Sequence, residues 1–379
     1  MLRSIDYQFR KLLTAKGVQK TKVVKQAKIS TAIYYRHQHV AVEAFHLSGL
    51  ARQNLGVDLA ELERFRQQTG LVDLYWRAMY SKFPDHGKTL AQALIEADGY
   101  VFFLHGWDGT HRIWENLPVR LAAAHKSLVC FNLDVNGFGL SPFISDTPVA
   151  EQCSPAALIA AIELWLSTLK LWPTPHRSRK PFYLFIGHSM GGAALFYKNE
   201  IDWRNEAYGF YALAPALFCN DTQRQAFFKT VGAGIRIPSF TTVKNALAPH
   251  IMEILAAGAS SEVKNEHVRV FARTSFGTLA QTLYVLGASP TRPRRNDWAR
   301  FRVALGDKDR LVGVDNMLDL LDGFGLGANQ IRVAAGDHYF FSYGDGSPLA
   351  HRENRDAVLE DLLAFCQKLA EEARVISGG

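Results

Sequence analysis

The residues with the clearest potential for chemistry are Gly-His-Ser-Met-Gly at positions 187–191, which follow an apolar run, Tyr183–Ile186, and precede a helix-like stretch. A strand that turns sharply into a helix strains its pivot residue, and glycines two positions to either side relieve the crowding. Ser189 would then stand at the helix N-terminus, and the amide of Met190 would point at a developing oxyanion. The alternative is an ordinary glycine-rich turn between a strand and a helix.

A serine hydroxyl is a poor nucleophile, so it needs a base, and the base needs a carboxylate to orient it. Downstream, a buried strand predicted at Phe301–Leu305 turns at Gly306 and leaves Asp309 on the loop beyond its carboxyl end. A last short strand, Ile331–Gly336, runs into His338. Nucleophile, acid and base would therefore follow the chain order Ser, Asp, His.

Two glycine-containing loops lie upstream of the serine. An apolar strand predicted at Tyr100–Leu104 breaks at His105 and Gly106, where a glycine lets the backbone approach a substrate closely. The amide of Trp107 is the natural second donor to an oxyanion. A further strand ends in the loop Asp134–Ser141, which contains two glycines.

With His-Gly-Trp, DxxGxGxS, GxSxG, GxxD and a late histidine in this order, the chain from about Leu71 onward resembles the α/β-hydrolase superfamily. The resemblance implies an α/β fold with a helical lid over the site. It also implies these roles: Ser189 as nucleophile, Asp309 as acid, His338 as base, and the amides of Trp107 and Met190 as the oxyanion hole.

Other polar residues near these motifs compete for the same roles. Asp307 is the alternative acid, but the family spacing of three residues after Gly306 favours Asp309. His105 and His188 flank the serine site, and a histidine beside a strand end is more often a hydrogen-bonded spacer than a base. His188 is also a candidate substrate contact.

A long helical stretch, 217–290, separates a strand predicted at Ala207–Pro215 from the strand that carries the acid. Three helices are predicted in it: Thr222–Val231, Asn245–Ala257 and Val263–Leu286. The resemblance places a lid here, which would exclude water and favour a hydrophobic group. Candidate lining residues are Phe227, Phe228, Ile251, Met252 and Leu255. The alternative is that these side chains only pack the insertion onto the domain.

The formal net charge of +7 comes entirely from the N-terminal end of the chain. Residues 1–68 contain twelve Lys and Arg against five Asp and Glu, and in the remainder 31 basic residues balance 31 acidic ones. Such a concentration either contacts a polyanion or forms a solvated basic face.

The spacing of apolar residues in the basic segment predicts several short helices, and further helices are predicted around Phe45–Asn54 and Leu59–Arg66. Over about the first 66 residues, KGVQKTKVVKQAKIS, STAIYYRH and LARQNLGVDLAEL resemble the Cro and C1 repressor-type helix-turn-helix family, in which the third helix enters the major groove. The resemblance implies possible DNA contacts at Ser30, Thr31, Tyr34, Tyr35 and Arg36. A helical module that packs on the hydrolase or mediates homodimerisation is an equal alternative.

These observations predict two domains: residues 1–70, helix-turn-helix-like, and residues 71–379, an α/β hydrolase. The expected reaction is hydrolysis of a hydrophobic carboxylic ester through an acyl-enzyme. Thioesters, lactones, acyl transfer and carbon–carbon bond hydrolysis stay open, as does a DNA-binding regulator that senses a ligand. A serine nucleophile argues against dehalogenase or epoxide hydrolase chemistry, which uses an aspartate.

The composition also predicts where the protein resides and whether it binds a metal. No run of 18 apolar residues suggests a membrane span, and the N-terminus lacks the apolar core of a signal peptide, so we expect a cytoplasmic protein. The four cysteines are too widely spaced for a zinc site or a disulfide framework: Cys130, Cys153, Cys219 and Cys366. We expect no cofactor and no metal.

Overall fold

A computed structural model of the chain describes residues 39–83, 85, 87–172, 180–198, 203, 205–236, 249, 252, 253, 255–288 and 292–378. One sheet of eight strands runs through this part of the chain. The strands are β1 Val40–His46, β2 Tyr75–Ser81, β3 Gly99–Leu104, β4 Leu128–Leu133, β5 Phe182–His188, β6 Tyr208–Leu213, β7 Phe301–Gly306 and β8 Ile331–Ala334. Their spatial order is β1-β2-β4-β3-β5-β6-β7-β8.

Strand β2 is antiparallel to both β1 and β4, and the strands from β4 to β8 pair in parallel. Parallel pairing requires a crossover between consecutive strands, which the helices supply. Because the carboxyl ends of parallel strands meet at one edge, the loops after β3, β5, β7 and β8 lie together. Leu104 at the end of β3, for example, is level with Gly187 near the end of β5.

Helices cover both faces of the sheet and lie in its connections. They are α1 Leu47–Arg52, α2 Leu59–Thr69, α3 Leu90–Glu96, α4 Leu117–Ala124, α5 Ala150–Cys153, α6 Pro155–Thr168, α7 Met190–Leu195, α8 Thr222–Ile235, α9 Ser261–Arg273, α10 Phe276–Ala288, α11 Val314–Asp322 and α12 Ala350–Gly378. Short 3-10 turns occur at His111–Trp114, Trp298–Arg300 and Ala328–Gln330. Among the described helices, none has the length and hydropathy that crossing a lipid bilayer requires.

Strands β3 and β5 are buried along their whole length, and apart from His188 at the end of β5 their side chains are apolar or aromatic, because both faces of the sheet are covered. Successive side chains of β3 point to opposite faces: Phe102 contacts Trp165 of α6, with ring centroids 6.2 Å apart. Phe103 contacts Trp114 on the other face at 5.2 Å. The sheet is therefore held from both sides, which fixes the loops at its carboxyl edge.

Residues 40–69 differ from the expected separate helical domain, because they pack with the eight-stranded sheet and its core. The helices expected around Phe45–Asn54 and Leu59–Arg66 are found as α1 and α2. Strand β1 precedes them and pairs with β2 from Val40 opposite Ser81 to His46 opposite Tyr75. Helix α2 buries Leu62 and Phe65 in the same core. The boundary expected at residue 70 thus does not coincide with a gap in packing. Residues 1–38 lie outside the described residues, and with them the candidate DNA contacts Ser30, Thr31, Tyr34, Tyr35 and Arg36.

The stretch between β6 and β7 contains helices α8, α9 and α10. The single helix expected at Val263–Leu286 is two helices, because Thr274 has extended backbone and the Ser275 hydroxyl accepts the amide of Thr278 at 3.1 Å. Helices α8 and α10 approach closely where Gly232 meets the backbone of Tyr284. Of the helix expected at Asn245–Ala257, the segments 245–248, 250–251 and 254 lie outside the described residues.

Candidate active site

Ser189 is the single residue between the last residue of β5 and the first residue of α7. Its backbone has φ 54° and ψ −117°, a conformation that is costly for any residue with a Cβ. The amide of Ser189 donates to the carbonyl of Leu213 at 3.0 Å, and its own carbonyl accepts from Ala193 at 2.8 Å. These bonds to β6 and α7 hold the serine in the strained turn that the sequence motif predicts.

The two glycines of the motif are required by the packing of α7. A Cβ added to Gly187 would lie 2.3 Å from the carbonyl oxygen of Gly191. A Cβ added to Gly191 would lie 2.3 Å from the carbonyl oxygen of Leu104, at the end of β3. Helix α7 can therefore start directly above the sheet only where both positions lack a side chain.

The loop after β3 lies against the serine. A Cβ on Gly106 would be 2.7 Å from Cβ of Ser189, so this backbone touches the serine side chain. The next residue, Trp107, lines the same cavity as Ser189, and its indole donates to the carbonyl of Leu279 in α10 at 3.2 Å. Met190 is the first residue of α7, and its amide has no carbonyl one turn earlier within the helix. Both amides that the sequence suggests for an oxyanion hole thus belong to segments adjoining Ser189.

His338 and Asp309 form a buried pair at the ends of β8 and β7. Nδ1 of His338 lies 2.7 Å from Oδ2 of Asp309, and the two residues are 3% and 2% exposed. The other carboxylate oxygen accepts the amides of Leu311 at 2.9 Å and Val312 at 3.1 Å, which fixes the orientation of the carboxylate. Because a carboxylate only accepts, Nδ1 carries the hydrogen, and in the neutral ring Nε2 keeps a free lone pair.

Nε2 of His338 is buried and has no hydrogen-bond partner among the described residues. Buried polar atoms are usually satisfied, so an unsatisfied nitrogen beside a cavity indicates a place for a ligand or a reacting group. His338 and Ser189 line the same cavity. The imidazole can therefore act as a base towards whatever that cavity holds.

Asp307, the alternative acid, has a different partner. Its Oδ1 accepts the amide of Gly336 at 2.8 Å, which ties the loop after β7 to the loop after β8. Asp309 is the carboxylate that contacts His338.

The two histidines beside the serine are enclosed in the protein. His105 accepts the amide of Val135 on Nε2 at 2.9 Å and donates from Nδ1 to the carbonyl of Gly106 at 2.8 Å. Burial lowers the pKa of His105 to about 4 and keeps it neutral. His188 is fully buried and donates to the carbonyl of His338 at 3.1 Å. His188 thus supports the loop of His338, and it is not among the described residues that line the cavity.

The cavity at the site is small and mostly apolar. Its described lining consists of Trp107, Ser189, Ala216, Phe228, Met252, Leu255, Ala256, His267, Leu283, Leu286, Leu311, His338 and Tyr339. Its open volume of about 30 Å³ has room for one or two water molecules.

Three of the five apolar residues expected at the site line this cavity: Phe228, Met252 and Leu255. Phe227 does not, because it is 51% exposed on the outer side of α8. Ile251 lies outside the described residues.

His267 in α9 and Tyr339 beside His338 line the cavity but were not anticipated from the sequence. The amphipathic pattern of α9 indicates a helix with one buried face, but it does not indicate which buried residue reaches a distant loop. In the part of the chain that the structure describes, no group of three or more His, Cys, Asp or Glu side chains could hold a metal ion.

The fold is shared with many solved structures. An esterase from Exiguobacterium antarcticum aligns with a TM-score of 0.51 at 14% identity, over 78% of this chain and 96% of that one. A bromoperoxidase from Bacillus anthracis aligns with a TM-score of 0.52 at 14% identity, over 78% and 95%. A laboratory-evolved variant of potato epoxide hydrolase aligns with a TM-score of 0.52 at 12% identity, over 79% and 97%. At such identities the likeness shows the fold alone.

Sequence comparison gives the family. A search of curated proteins found no match. Residues 101–358, more than half of the chain, match the model of the Alpha/beta hydrolase family. This match covers the strands and loops that carry Ser189, Asp309 and His338, and the chain therefore belongs to the alpha/beta hydrolase family.

Proposed function

We propose that this protein is a serine hydrolase that cleaves a carboxylic ester through an acyl-enzyme, with Ser189 as nucleophile, His338 as base and Asp309 as acid. The observation that carries the proposal is the orientation of His338: Nδ1 is held by Asp309 at 2.7 Å, while Nε2 is unpaired among the described residues. Ser189 stands on the same cavity in a strained turn. A base with a fixed tautomer on the same cavity as a serine side chain is the arrangement that acyl transfer needs.

In acylation, Oγ of Ser189 attacks the ester carbonyl carbon while Nε2 of His338 takes the hydroxyl proton. The carbonyl oxygen becomes negatively charged, and the amides of Trp107 and Met190 stabilise it. When the carbon–oxygen bond to the leaving group breaks, His338 returns the proton to the departing alkoxide. The products of this step are an alcohol and an acyl-Ser189.

In deacylation, a water molecule takes the place of the alcohol and acts as the nucleophile. His338 takes a proton from the water while the water oxygen bonds to the acyl carbon. The bond from that carbon to Oγ of Ser189 then breaks, Oγ receives the proton from His338, and a carboxylic acid leaves. In both half-reactions the imidazole becomes positively charged, and the carboxylate of Asp309 stabilises that charge. The carboxylate keeps its negative charge throughout.

Helices α8 and α10 are proposed to act as a lid over this site. Phe228 of α8 and Leu283 and Leu286 of α10 supply apolar walls of the cavity, and the indole of Trp107 holds α10 through Leu279. An ester is larger than the one or two water molecules for which the cavity has room. We infer that these helices move apart to admit a substrate and that their closure afterwards excludes bulk water.

The same triad would also serve thioesters, lactones, acyl transfer or carbon–carbon bond hydrolysis, and the apolar lining suits a hydrophobic acyl or alcohol group in each case. The names of similar folds include esterases and epoxide hydrolases. A serine at position 189 favours the former chemistry, because it forms an acyl ester that water can hydrolyse.

The test combines turnover with covalent labelling. Purified protein is assayed with p-nitrophenyl acetate and p-nitrophenyl octanoate, then treated with a fluorophosphonate and digested for mass spectrometry. We expect label on Ser189, and the Ser189→Ala variant should lose about four to six orders of magnitude in kcat. Ser145→Ala, at an exposed serine, is the matched control and should keep its activity. Labelling at another residue, or full activity in Ser189→Ala, would reject the proposal.

A further inference from the structure

The cavity beside Ser189 and His338 contains a second polar pair, His267 and Tyr339. Each of these two residues is 3% exposed, and Nε2 of His267 lies 2.6 Å from the hydroxyl oxygen of Tyr339. The mechanism proposed above uses neither of them. Polar groups placed in an otherwise apolar pocket are those that orient a ligand and determine its specificity.

The hydrogen positions in this pair depend on Nδ1 of His267, the ring nitrogen that does not face Tyr339. Nδ1 of His267 lies 2.7 Å from the backbone carbonyl oxygen of Asp108, and a carbonyl can only accept a hydrogen bond. The carboxylate of Asp108 is 3.7 Å from Nδ1, which is beyond hydrogen-bond distance. Nδ1 therefore donates to this carbonyl. We assign the ring a single hydrogen, on Nδ1, so that Nε2 accepts the hydroxyl hydrogen of Tyr339; the comparison of keto and hydroxyl esters below tests this assignment.

This arrangement leaves the Tyr339 oxygen with lone pairs and no hydrogen to donate. Burial raises the pKa of Tyr339, so the phenol remains protonated at neutral pH and continues to donate to His267. Any further hydrogen bond to this oxygen must be donated by the ligand. A hydroxyl or an N–H meets that requirement, whereas a ketone or an ether does not.

The position of Tyr339 defines where such a group would lie on the substrate. Its ring centroid is 5.6 Å from that of His338 and 5.6 Å from that of His267. The tyrosine ring is thus adjacent to the ring of His338, so a ligand group that contacts the tyrosine shares the cavity of the ester.

We propose that the Tyr339 hydroxyl, positioned by His267, selects substrates that carry a hydroxyl or N–H donor close to the scissile ester. This selection rests on the proposed ester hydrolysis for the identity of the scissile bond. It would explain why an apolar cavity holds a buried Tyr–His pair that has no part in the chemistry of the triad.

The experiment measures binding without turnover, using the full chain with Ser189→Ala. Tryptophan fluorescence is the readout, because Trp107 lines the cavity. The ligands are methyl 3-hydroxyhexanoate, 2-hydroxyethyl hexanoate, methyl 3-oxohexanoate and methyl hexanoate. One well-formed hydrogen bond corresponds to about tenfold in affinity, so at least one hydroxyl ester should bind about tenfold more tightly than the keto and unsubstituted esters.

Two further variants in the Ser189→Ala background test the assignment of hydrogens. Tyr339→Phe removes the acceptor, so the preference for the hydroxyl ester should disappear. His267→Phe removes the partner of the tyrosine hydroxyl, which can then donate to a ligand as well as accept from it, so the keto ester should bind about as tightly as the hydroxyl esters. Tyr343→Phe makes the same chemical change as Tyr339→Phe at a residue that is 38% exposed, and it should keep the original preference.

Three results would overturn the inference: no preference for either hydroxyl ester, a preference that survives Tyr339→Phe, or a preference for the keto ester before any change at His267. Thermal unfolding of each variant checks that it is folded. If Tyr339→Phe does not fold, the comparison of the four ligands and the result with His267→Phe still test the inference. Acid release by the wild-type protein from the same esters is measured separately. Binding preference without acid release would reject ester hydrolysis and retain the role of Tyr339.

Discussion

Replacing Asp309 by Asn tests the hydrogen-bond geometry of the proposed triad. One oxygen of Asp309 accepts the amides of Leu311 and Val312, and the other accepts from Nδ1 of His338. In Asp309→Asn, the side-chain oxygen is expected to keep accepting the amides of Leu311 and Val312, because an NH₂ group in that position would face two hydrogen-bond donors. The NH₂ group must then face Nδ1, to which it can only donate.

This change forces the hydrogen of His338 onto Nε2, the nitrogen that must accept the proton of Ser189. The variant also loses the negative charge that stabilises the imidazolium in both half-reactions. Together these effects should lower kcat by about 10⁴-fold, equivalent to about 5 kcal/mol of transition-state stabilisation. The protein should remain folded, because the two backbone bonds of the side chain persist.

The matched control is Asp307→Asn. An amide oxygen at that position can still accept the amide of Gly336, so kcat should fall by less than about tenfold. Both variants are assayed with p-nitrophenyl butyrate at saturating substrate, and their folding is compared by circular dichroism. If Asp309→Asn retains more than a tenth of the activity, or if Asp307→Asn is the more damaged variant, the assignment of the acid is refuted.

Three further predictions concern the cavity, the chain boundary and buried charge. Leu286→Ala should enlarge the cavity and raise the ratio of octanoate to acetate turnover about tenfold, whereas Phe227→Ala on the outer face of α8 should leave that ratio unchanged. If Leu286→Ala and the wild type show the same ratio, the lid is removed from the proposal. A fragment 71–379 should be insoluble because it lacks β1 and α2, and a fragment 39–379 should be active; a soluble, active 71–379 would contradict the packing argument. Burial lowers the pKa of His105 from 6.5 to about 4, so as the pH falls the unfolded chain binds a proton before the folded protein does. The free energy of unfolding should therefore decrease between about pH 6.5 and about pH 4, by about 1.4 kcal/mol per pH unit. Urea unfolding at pH 7 and pH 5 should therefore show a larger loss for the wild type than for His105→Asn, and an equal loss would mean that this histidine is not responsible.

The sequence predicts the family and the positions of the strands that carry the site. Strands expected at Tyr100–Leu104, Tyr183–Ile186 and Phe301–Leu305 are found as β3, β5 and β7 within two residues. Local chemistry explains this success: a fully buried parallel strand is an unbroken apolar run, and the glycines of a sharp turn follow it directly. The alpha/beta hydrolase family is confirmed over residues 101–358.

The N-terminal boundary is a case in which local pattern was insufficient. The helix expected around Phe45–Asn54 is found as α1, Leu47–Arg52, but the seven residues before it, Val40–His46, form β1 because β2 offers an unpaired antiparallel edge. A strand of mixed polar and apolar residues obtains its stability from that pairing rather than from its own propensity. Only the tertiary structure contains the partner.

What the sequence determined by itself was therefore the family and the place of the candidate residues at strand ends, since both depend on motifs of residues close together in the chain. The tertiary structure decided which groups meet across long separations. Nδ1 of His338 contacts Asp309 rather than Asp307, and His267 reaches Tyr339 from an insertion 72 residues away along the chain. Such contacts depend on how helices pack over the sheet edge, and helix packing leaves no periodic signal that identifies the partner.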